Sequence, residues 1–161
     1  MSQINVAQSS QGAGAVVFYE NEILLVQVNY GKAIGRWILP GGMVETGEHP
    51  FQTAIRETKE ETNLTIEIDG LVSIRHRIDE KQMHNTYWVF KGRLVDPSTK
   101  DHIHWPHEEL QCARWWSIKE ALKDDQVQPL TQLFLQQALK GVILPALEIP
   151  IRHKFANDTA Y

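Results

Sequence analysis

Three glutamates on one short segment have the residue type and spacing to hold a metal ion. Glu57, Glu60 and Glu61 are spaced at i, i+3 and i+4, so on an α-helix their side chains project from one face. Like charges at this spacing repel and destabilise the helix. A divalent cation would offset that repulsion, and carboxylate oxygens are the ligands that Mg²⁺ and Mn²⁺ prefer. The alternative is a solvated acidic face, which is the more common role of a Glu-rich helix taken alone.

The segment before these glutamates favours the metal-site interpretation. Gly41 and Gly42 are adjacent, and glycine lets a backbone turn sharply and approach a ligand closely. Glu48 follows Gly42 after five intervening residues, and Arg56 follows Glu48 after seven more. Arg56 could form an ion pair with Glu48.

This spacing resembles the signature of the Nudix hydrolase family, which runs Gly-x5-Glu-x7-Arg-Glu-U-x-Glu-Glu-x-Gly-U, where U is a bulky aliphatic residue. Residues 42–64 match all six Gly, Glu, Arg and Glu positions up to Glu61. Thr58 replaces the usual aliphatic residue, and we expect it to loosen the packing of the helix. Asn63 replaces the usual glycine, and asparagine also tolerates a left-handed backbone. With residues 36–42 and the segment of Glu109 and Trp115-Trp116, the resemblance spans roughly residues 13–139.

The resemblance implies Mg²⁺-dependent hydrolysis of a diphosphate bond in a nucleoside diphosphate derivative, with Mn²⁺ able to substitute. Such a cation neutralises phosphate oxygens and activates the attacking water, and a carboxylate accepts the proton. The implied metal ligands are Glu57, Glu60, Glu61 and the carbonyl of Gly41. Gly42, Glu48 and Arg56 would orient the loop and the helix behind them, and Arg56 counts among the catalytic residues. Glu109 is a candidate metal ligand or general base, with Glu108 as its alternative; both could instead form an exposed loop pair.

Candidate substrate-binding residues lie on two predicted strands. Alternation places Arg75 and Arg77 on one face and His76 on the other. An arginine facing the cleft could bind phosphate, but a solvated strand face is the commoner role of arginine. Aromatic residues that could stack on a base are Tyr87, Trp88, Trp105 and Phe18; Trp37 and Trp115 are assigned to the core.

Other residue patterns and the composition exclude several classes of protein. The run His102, His104 and His107 could bind zinc, but it is more often a polar loop. The net charge of −4 argues against a nonspecific nucleic-acid binder. The single cysteine, Cys112, permits no internal disulfide. No secretory signal or apolar stretch long enough to span a bilayer is recognised, so we expect a cytoplasmic, soluble protein.

The predicted elements form one α/β domain. Strands are predicted at residues 13–19 and 22–29 as a hairpin, and at residues 37–39, 65–69, 71–78, 85–94 and 109–116. A central helix should begin at Pro50 with His49 as its cap and end at Asn63. Ser117 should open a short helix through a capping box with Glu120, and a last helix covers residues 130–140. We therefore expect a Nudix-type α/β/α sandwich with a mixed sheet.

The domain organisation follows from these elements. Residues 1–12 are predicted to be a flexible lead-in, and residues 13–141 the hydrolase domain. Residues 142–161 are predicted to be an extension that packs on the domain or on a partner subunit, so a homodimer is possible. The competing function is a noncatalytic module that senses a nucleotide on the same fold, although such modules often lose the helix carboxylates. An isomerase or an RNA cap hydrolase is a third possibility. The substrate stays open, because residue marks near Asp79 and Lys81 that would indicate ADP-ribose or dinucleoside polyphosphates are absent.

Overall fold

A long first strand runs through the centre of the fold in the computed structural model, which describes residues 6–141 and Leu144. Strand β1 (Ser9–Tyr19) turns at Glu20 and Asn21 into β2 (Glu22–Val28). Phe18 pairs with Ile23 across this hairpin. The predicted hairpin is confirmed, but β1 begins four residues earlier than predicted because Ser9 to Gly12 also pair with β6.

The remaining strands complete one mixed sheet. They are β3 (Trp37–Ile38), β4 (Gly41–Met43), β5 (Ile66–Ile78), β6 (His84–Leu94) and β7 (Leu110–Ser117). The hydrogen-bonded order is β3-β2-β1-β6-β5, with β4 paired to β1 and β7 paired to β2. The β1–β6 pair is parallel and the other pairs are antiparallel.

Two helices cover opposite faces of this sheet. Helix α1 (Pro50–Thr62) buries Ala54 against Ala13, Ala15 and Val17 of β1. Helix α3 (Pro129–Leu139) joins a second core cluster that contains Val16 of the same strand. Successive side chains of a strand point to opposite faces, so β1 supports both layers. The predicted α/β/α sandwich with a mixed sheet is confirmed.

The limits of α1 follow from local signals. The side-chain oxygen of Gln52 accepts a hydrogen bond from the backbone N–H of His49 at 2.9 Å, which satisfies a donor at the helix start. Pro50 occupies the first helical position, where the missing N–H costs nothing. Asn63 adopts a left-handed backbone with φ 63° and ends the helix. The cap at His49, the first position of Pro50 and the end at Asn63 were predicted, whereas the contact with Gln52 was not.

Two predictions about secondary structure are wrong. Residues 65–69 and 71–78 were expected to form separate strands, but β5 continues through Gly70 because it stays hydrogen-bonded to β6. The pairing register shifts on either side of Gly70, so irregularities in the strand absorb the expected break. Ser117 precedes the one-turn helix α2 (Ile118–Ala121), but its side chain makes no capping hydrogen bond.

Two segments join the elements through single turns of 3₁₀-helix, Gly31–Ala33 and Pro97–Thr99. None of the described helices is long and apolar enough to cross a membrane. The predicted extension at residues 142–161 lies outside the described residues except for Leu144. The backbone of Leu144 pairs antiparallel with that of Leu71 on β5, and its N–H donates to the Leu71 carbonyl at 2.9 Å.

Candidate active site

The three glutamates of α1 differ in their exposure to solvent. Glu61 is buried, with 7% of its surface exposed, whereas the side chains of Glu57 and Glu60 are 16% and 57% exposed. The Glu61 carboxylate accepts a hydrogen bond of 2.9 Å from the backbone N–H of Gly41. This contact joins the end of α1 to the glycine turn, so the helix and the loop meet at a buried negative charge.

The burial of these carboxylates disfavours their charged forms. The pKa of Glu61 is raised to about 8: burial is the largest cause, the hydrogen bond from Gly41 opposes it, and the charges of Glu57, Glu109 and Glu60 add to it. Burial is also the main reason why the pKa of Glu57 is raised, while Arg56 lowers it. In the metal-free protein these two carboxylates therefore hold their protons to a higher pH than exposed glutamates do.

Arg56 is the cation that ties the glutamates together. Its Nε and Nη2 donate to the two carboxylate oxygens of Glu48 at 2.9 and 3.0 Å, which confirms the predicted ion pair. Its Nη1 donates to Glu57 at 2.8 Å and to Glu60 at 3.1 Å. The bidentate contact of Arg56 with Glu48 is the main reason why the pKa of Glu48 is lowered to about 2.

Gly42 is a glycine for a steric reason. A Cβ atom at this position would overlap the carboxylate of Glu57. A side chain at position 42 would therefore displace the carboxylate of Glu57 from its present position.

The donor chemistry of the cluster fits a hard divalent cation. Glu57, Glu60 and Glu61 offer only oxygen atoms, which suit Mg²⁺ and Mn²⁺. Within residues 6–141 and Leu144, no three Asp, Glu, His or Cys side chains are grouped closely enough to hold a metal ion. Arg56 instead supplies the positive charge between Glu57 and Glu60. The residues present fit the ion in charge and in atom type.

Glu109 joins this cluster from another part of the chain. It directly precedes β7, and its carbonyl accepts a hydrogen bond from the Asn29 N–H at 3.1 Å. Its charge contributes to the raised pKa of Glu61. It also helps to raise the pKa of Tyr30, after burial and Glu61. Glu108 is not among the largest causes of either shift. Sequence reasoning missed Tyr30, because nothing in its own segment indicates that it faces the glutamates.

A cleft of about 280 Å³ opens beside Gly41. Arg75 and Arg77 both line it, as the predicted alternation along β5 requires. Its other lining residues are Ile38, Leu39, Tyr87, Gln128, Leu130, Thr131 and Phe134. Sequence reasoning missed the residues from α3 and the segment before it, because a helix far along the chain gives no sign of which cleft it borders.

Tyr87 forms the floor of this cleft. A Cβ atom on Gly14 or Gly41 would collide with its hydroxyl group, and one on Gly12 would lie 2.9 Å from its ring. The ring of Phe134 lies nearly parallel to it, with 6.4 Å between centroids. The glycines and Phe134 therefore fix the position of the ring.

Trp88, a predicted substrate-binding residue, does not line this cleft, so the structure does not bring it together with Arg75, Arg77 and Tyr87. It is next to Tyr87 on β6 and therefore faces the α1 side of the sheet, where it packs in the core cluster of Ala54. Its indole N–H donates to the side chain of Gln11 at 3.2 Å.

The other aromatic and histidine candidates also lie outside the cleft lining. Phe18 and Trp105 pack against core clusters, as do Trp37 and Trp115, the latter two as predicted. The rings of His104 and His107 are 6.3 Å apart and T-shaped. They form no three-ligand site with His102 or with any other described residue.

A family model described as NUDIX domain matches residues 9–137 of the chain. The chain belongs to the Nudix family. It is 34% identical over 122 residues to a bis(5'-nucleosyl)-tetraphosphatase (asymmetrical) of Caenorhabditis elegans, covering 70% of this chain and 83% of that protein. It is 32% identical over 137 residues to the 8-oxo-dGDP phosphatase NUDT18 of Mus musculus, covering 81% of this chain and 41% of that one. A NUDIX hydrolase from Nitrosomonas europaea has a similar structure, with a TM-score of 0.72, 25% identity and coverage of 88% and 97%.

The chain spans only part of several curated relatives that it matches. It covers 28% of a putative nudix hydrolase 1 of Caenorhabditis elegans and 49% of a nucleoside diphosphate-linked moiety X motif 6 protein of Xenopus laevis. These relatives share the Nudix domain with this chain and extend beyond it.

The two departures from the Nudix signature are accommodated within α1. Thr58 is fully buried, and its hydroxyl donates to the Ala54 carbonyl at 2.7 Å, so its polar group is satisfied within the helix. Asn63 adopts the left-handed backbone that glycine provides in the signature, and its N–H donates to the Lys59 carbonyl at 2.8 Å.

Proposed function

We propose that this Nudix chain hydrolyses a diphosphate bond in a nucleoside diphosphate derivative, by attack of water at phosphorus. The observation that carries the proposal is the buried Glu61 carboxylate, bound to Gly41 at the mouth of a cleft that two arginines line. The family supports a hydrolase of phosphoanhydride bonds. The similarity to the Caenorhabditis elegans tetraphosphatase and the mouse 8-oxo-dGDP phosphatase supports a nucleotide-type substrate.

In this proposal Glu57, Glu60, Glu61 and the Gly41 carbonyl hold a divalent cation, Mg²⁺ or Mn²⁺. When bound, the ion supplies the positive charge that offsets the phosphate oxygens and acidifies water. The raised pKa of Glu61 supports this assignment, because a buried carboxylate cluster gains most from a cation that stabilises its charged form.

Glu109 is our candidate for the general base. Glu109 directly precedes β7, its charge acts on Glu61, and it is exposed to solvent. An exposed carboxylate can accept a proton from water and pass it to bulk solvent. The effect of its charge on Glu61 favours Glu109 over Glu108.

Arg56 and Glu48 orient the site in this proposal. The bidentate ion pair anchors the loop of Glu48 to α1, and the remaining N–H groups of Arg56 fix Glu57 and the Met43 carbonyl. Residues that hold reacting groups in place contribute to the rate by restricting their motion.

The test is a screen of a nucleoside triphosphate, a dinucleoside polyphosphate and a nucleotide sugar, each with Mg²⁺ and with Mn²⁺. Products are separated by chromatography. We expect turnover by the wild type, a loss of at least about a hundredfold in Glu60→Gln and Glu61→Gln, and no change in Glu80→Gln. Glu80 is an exposed glutamate in the turn between β5 and β6, so its variant controls for the loss of charge.

Two results would contradict the proposal. Wild-type turnover by both Glu60→Gln and Glu61→Gln would refute the assignment of the site. If the wild type turned over none of the compounds with either metal, a noncatalytic module that senses a nucleotide would replace the hydrolase.

A further inference from the structure

Two positive charges face the cleft without a negative partner. Arg75 and Arg77 line the cleft from β5, and none of the ion pairs within residues 6–141 and Leu144 includes either one. Arg93 on the neighbouring strand differs, because it pairs with both Glu67 and Asp69. The cleft is therefore positively charged.

This arrangement is unfavourable for the protein without a ligand. Burial lowers the pKa of Arg75, and the nearby charge of Arg77 lowers it further. The Nε atom of Arg75 is buried and has no hydrogen-bond partner. A buried donor without a partner costs about 1–3 kcal/mol. The ring of Tyr87, 5.6 Å from the guanidinium, offsets part of this cost.

A short chain of hydrogen bonds holds Arg75 in this position. Its Nη2 donates to the side-chain oxygen of Asn85 at 2.7 Å. The side-chain NH₂ of Asn85 donates to the hydroxyl of Ser10 at 2.9 Å, and that hydroxyl donates to the His84 carbonyl at 3.4 Å. Because the NH₂ group of Asn85 donates to Ser10, the side-chain oxygen of Asn85 points at the Arg75 guanidinium and accepts its hydrogen bond. Asn85 and Ser10 thus preorganise Arg75 without neutralising it.

We propose that Arg75 and Arg77 bind an anionic group of the substrate other than the phosphate that is attacked. Gly41, whose N–H contacts the Glu61 carboxylate, and the two arginines line the same cleft. In the proposed function the carboxylate cluster and its cation hold the phosphate that is attacked, so the arginines are left for another part of the same ligand. Because two unpaired guanidinium groups attract net negative charge more than a neutral base edge, that part is anionic.

The substrate class follows from this position. It is a nucleotide derivative with a further phosphate beyond the scissile bond, either in the polyphosphate chain or on a ribose. The apolar side chains of Leu39, Leu130 and Phe134 line the rest of the cleft and suit a flat ring. This inference takes the position of the scissile bond from the proposed function.

The test measures binding to metal-free protein, so it needs no turnover. Inorganic tripolyphosphate, adenosine 3',5'-bisphosphate and adenosine are each titrated into ¹⁵N-labelled protein in EDTA, with the Arg75 Nε–H signal followed by NMR. We expect the two anions to shift this signal and to lose at least about tenfold in affinity in Arg75→Gln and Arg77→Gln. Arg93→Gln removes the same charge outside the cleft and should bind as the wild type does.

The two possible phosphate sources give different patterns. If both anions depend on the arginines, the bound phosphate belongs to the polyphosphate chain. If only the bisphosphate depends on them, the phosphate is on the ribose. Anion affinities that do not change in Arg75→Gln and Arg77→Gln would overturn the proposal. An equal loss of adenosine affinity in these variants would also overturn it, because it would indicate recognition of the base.

Asn85→Asp tests separately whether Arg75 has to stay without a negative partner. An aspartate keeps the contact with Nη2 of Arg75 but adds a negative charge there, so we expect anion affinity to fall about as far as in Arg75→Gln. Wild-type affinity in Asn85→Asp would contradict the requirement for an unpaired guanidinium.

The outcomes also separate this inference from the proposed function. Arginine-dependent anion binding by a chain that hydrolyses none of the screened compounds refutes only the hydrolase. Hydrolysis with anion affinities that are unchanged in the arginine variants refutes only the anion site. If both proposals hold, Arg77→Gln raises KM for substrates with the further phosphate and leaves kcat unchanged.

Discussion

Replacing Glu61 with glutamine tests whether this buried carboxylate destabilises the metal-free protein at neutral pH. The pKa of Glu61 is about 8 in the folded protein, against the ordinary value of 4.5. Between these values the folded protein keeps a proton that the unfolded chain has released. The contribution of Glu61 to the free energy of unfolding therefore falls as the pH rises from about 4.5 to about 8, and this contribution is constant outside the window.

The magnitude follows from the two pKa values. They differ by about 3.5 pH units, and each unit corresponds to about 1.4 kcal/mol, so the wild type loses up to roughly 5 kcal/mol across the window. Because only 7% of Glu61 is exposed, solvent screens this effect little. A glutamine at position 61 does not titrate, and its side-chain oxygen can still accept the hydrogen bond from Gly41.

The assay is urea denaturation in EDTA at pH 5, 7 and 9, followed by tryptophan fluorescence. We expect Glu61→Gln to become more stable than the wild type as the pH rises, whereas Glu80→Gln should follow the wild type. Mg²⁺ at pH 9 should stabilise the wild type more than Glu61→Gln, because binding favours the charged carboxylate. Parallel pH curves for the wild type and Glu61→Gln would refute this reasoning.

Three further variants test other contacts. Gly42→Ala should reduce turnover with little loss of unfolding free energy, because the new methyl group overlaps the carboxylate end of Glu57, which is flexible and can move; product assays and urea denaturation measure both, and wild-type turnover would contradict the steric role. Arg56→Gln should destabilise the protein at pH 7 by about 2 kcal/mol. The pKa of Glu48 is lowered to about 2 by Arg56, so this stabilisation exists above pH 4.5 and disappears as the pH falls towards 2; acid-unfolding curves that stay equally separated would contradict it. Trp88→Phe should leave KM unchanged and cost about 1 kcal/mol through the lost hydrogen bond to Gln11; a KM raised severalfold would place Trp88 in the substrate site.

Features that depend on neighbouring residues were predictable from the sequence. The start of α1 at Pro50, its end at Asn63 and the projection of Glu57, Glu60 and Glu61 all follow from the helical period and the conformational preferences of single residues. The ion pair of Arg56 with Glu48 was also predictable. It spans the loop and the first turns of one helix, so few arrangements are available to it.

Features that depend on pairing between distant strands were not predictable. Gly70 suggested a break, but the backbone hydrogen bonds to β6 keep β5 continuous. Alternation along β6 places Tyr87 and Trp88 on opposite sides of the sheet. It does not indicate which side holds the cleft. That depends on α3, which lies about forty residues later in the chain. The contact of Asn85 with Arg75 depends in the same way on the register between β5 and β6.

The position of Tyr87 at the floor of the cleft limits how the substrate preference of this Nudix hydrolase can be changed. Tyr87 lies on the main chain of Gly12, Gly14 and Gly41, so no side chain beneath it can be shortened to deepen the cleft. Any larger residue at these positions would overlap the Tyr87 ring or the neighbouring backbone. Engineering of specificity therefore has to start from the walls, where Leu130 and Thr131 of α3 line the cleft.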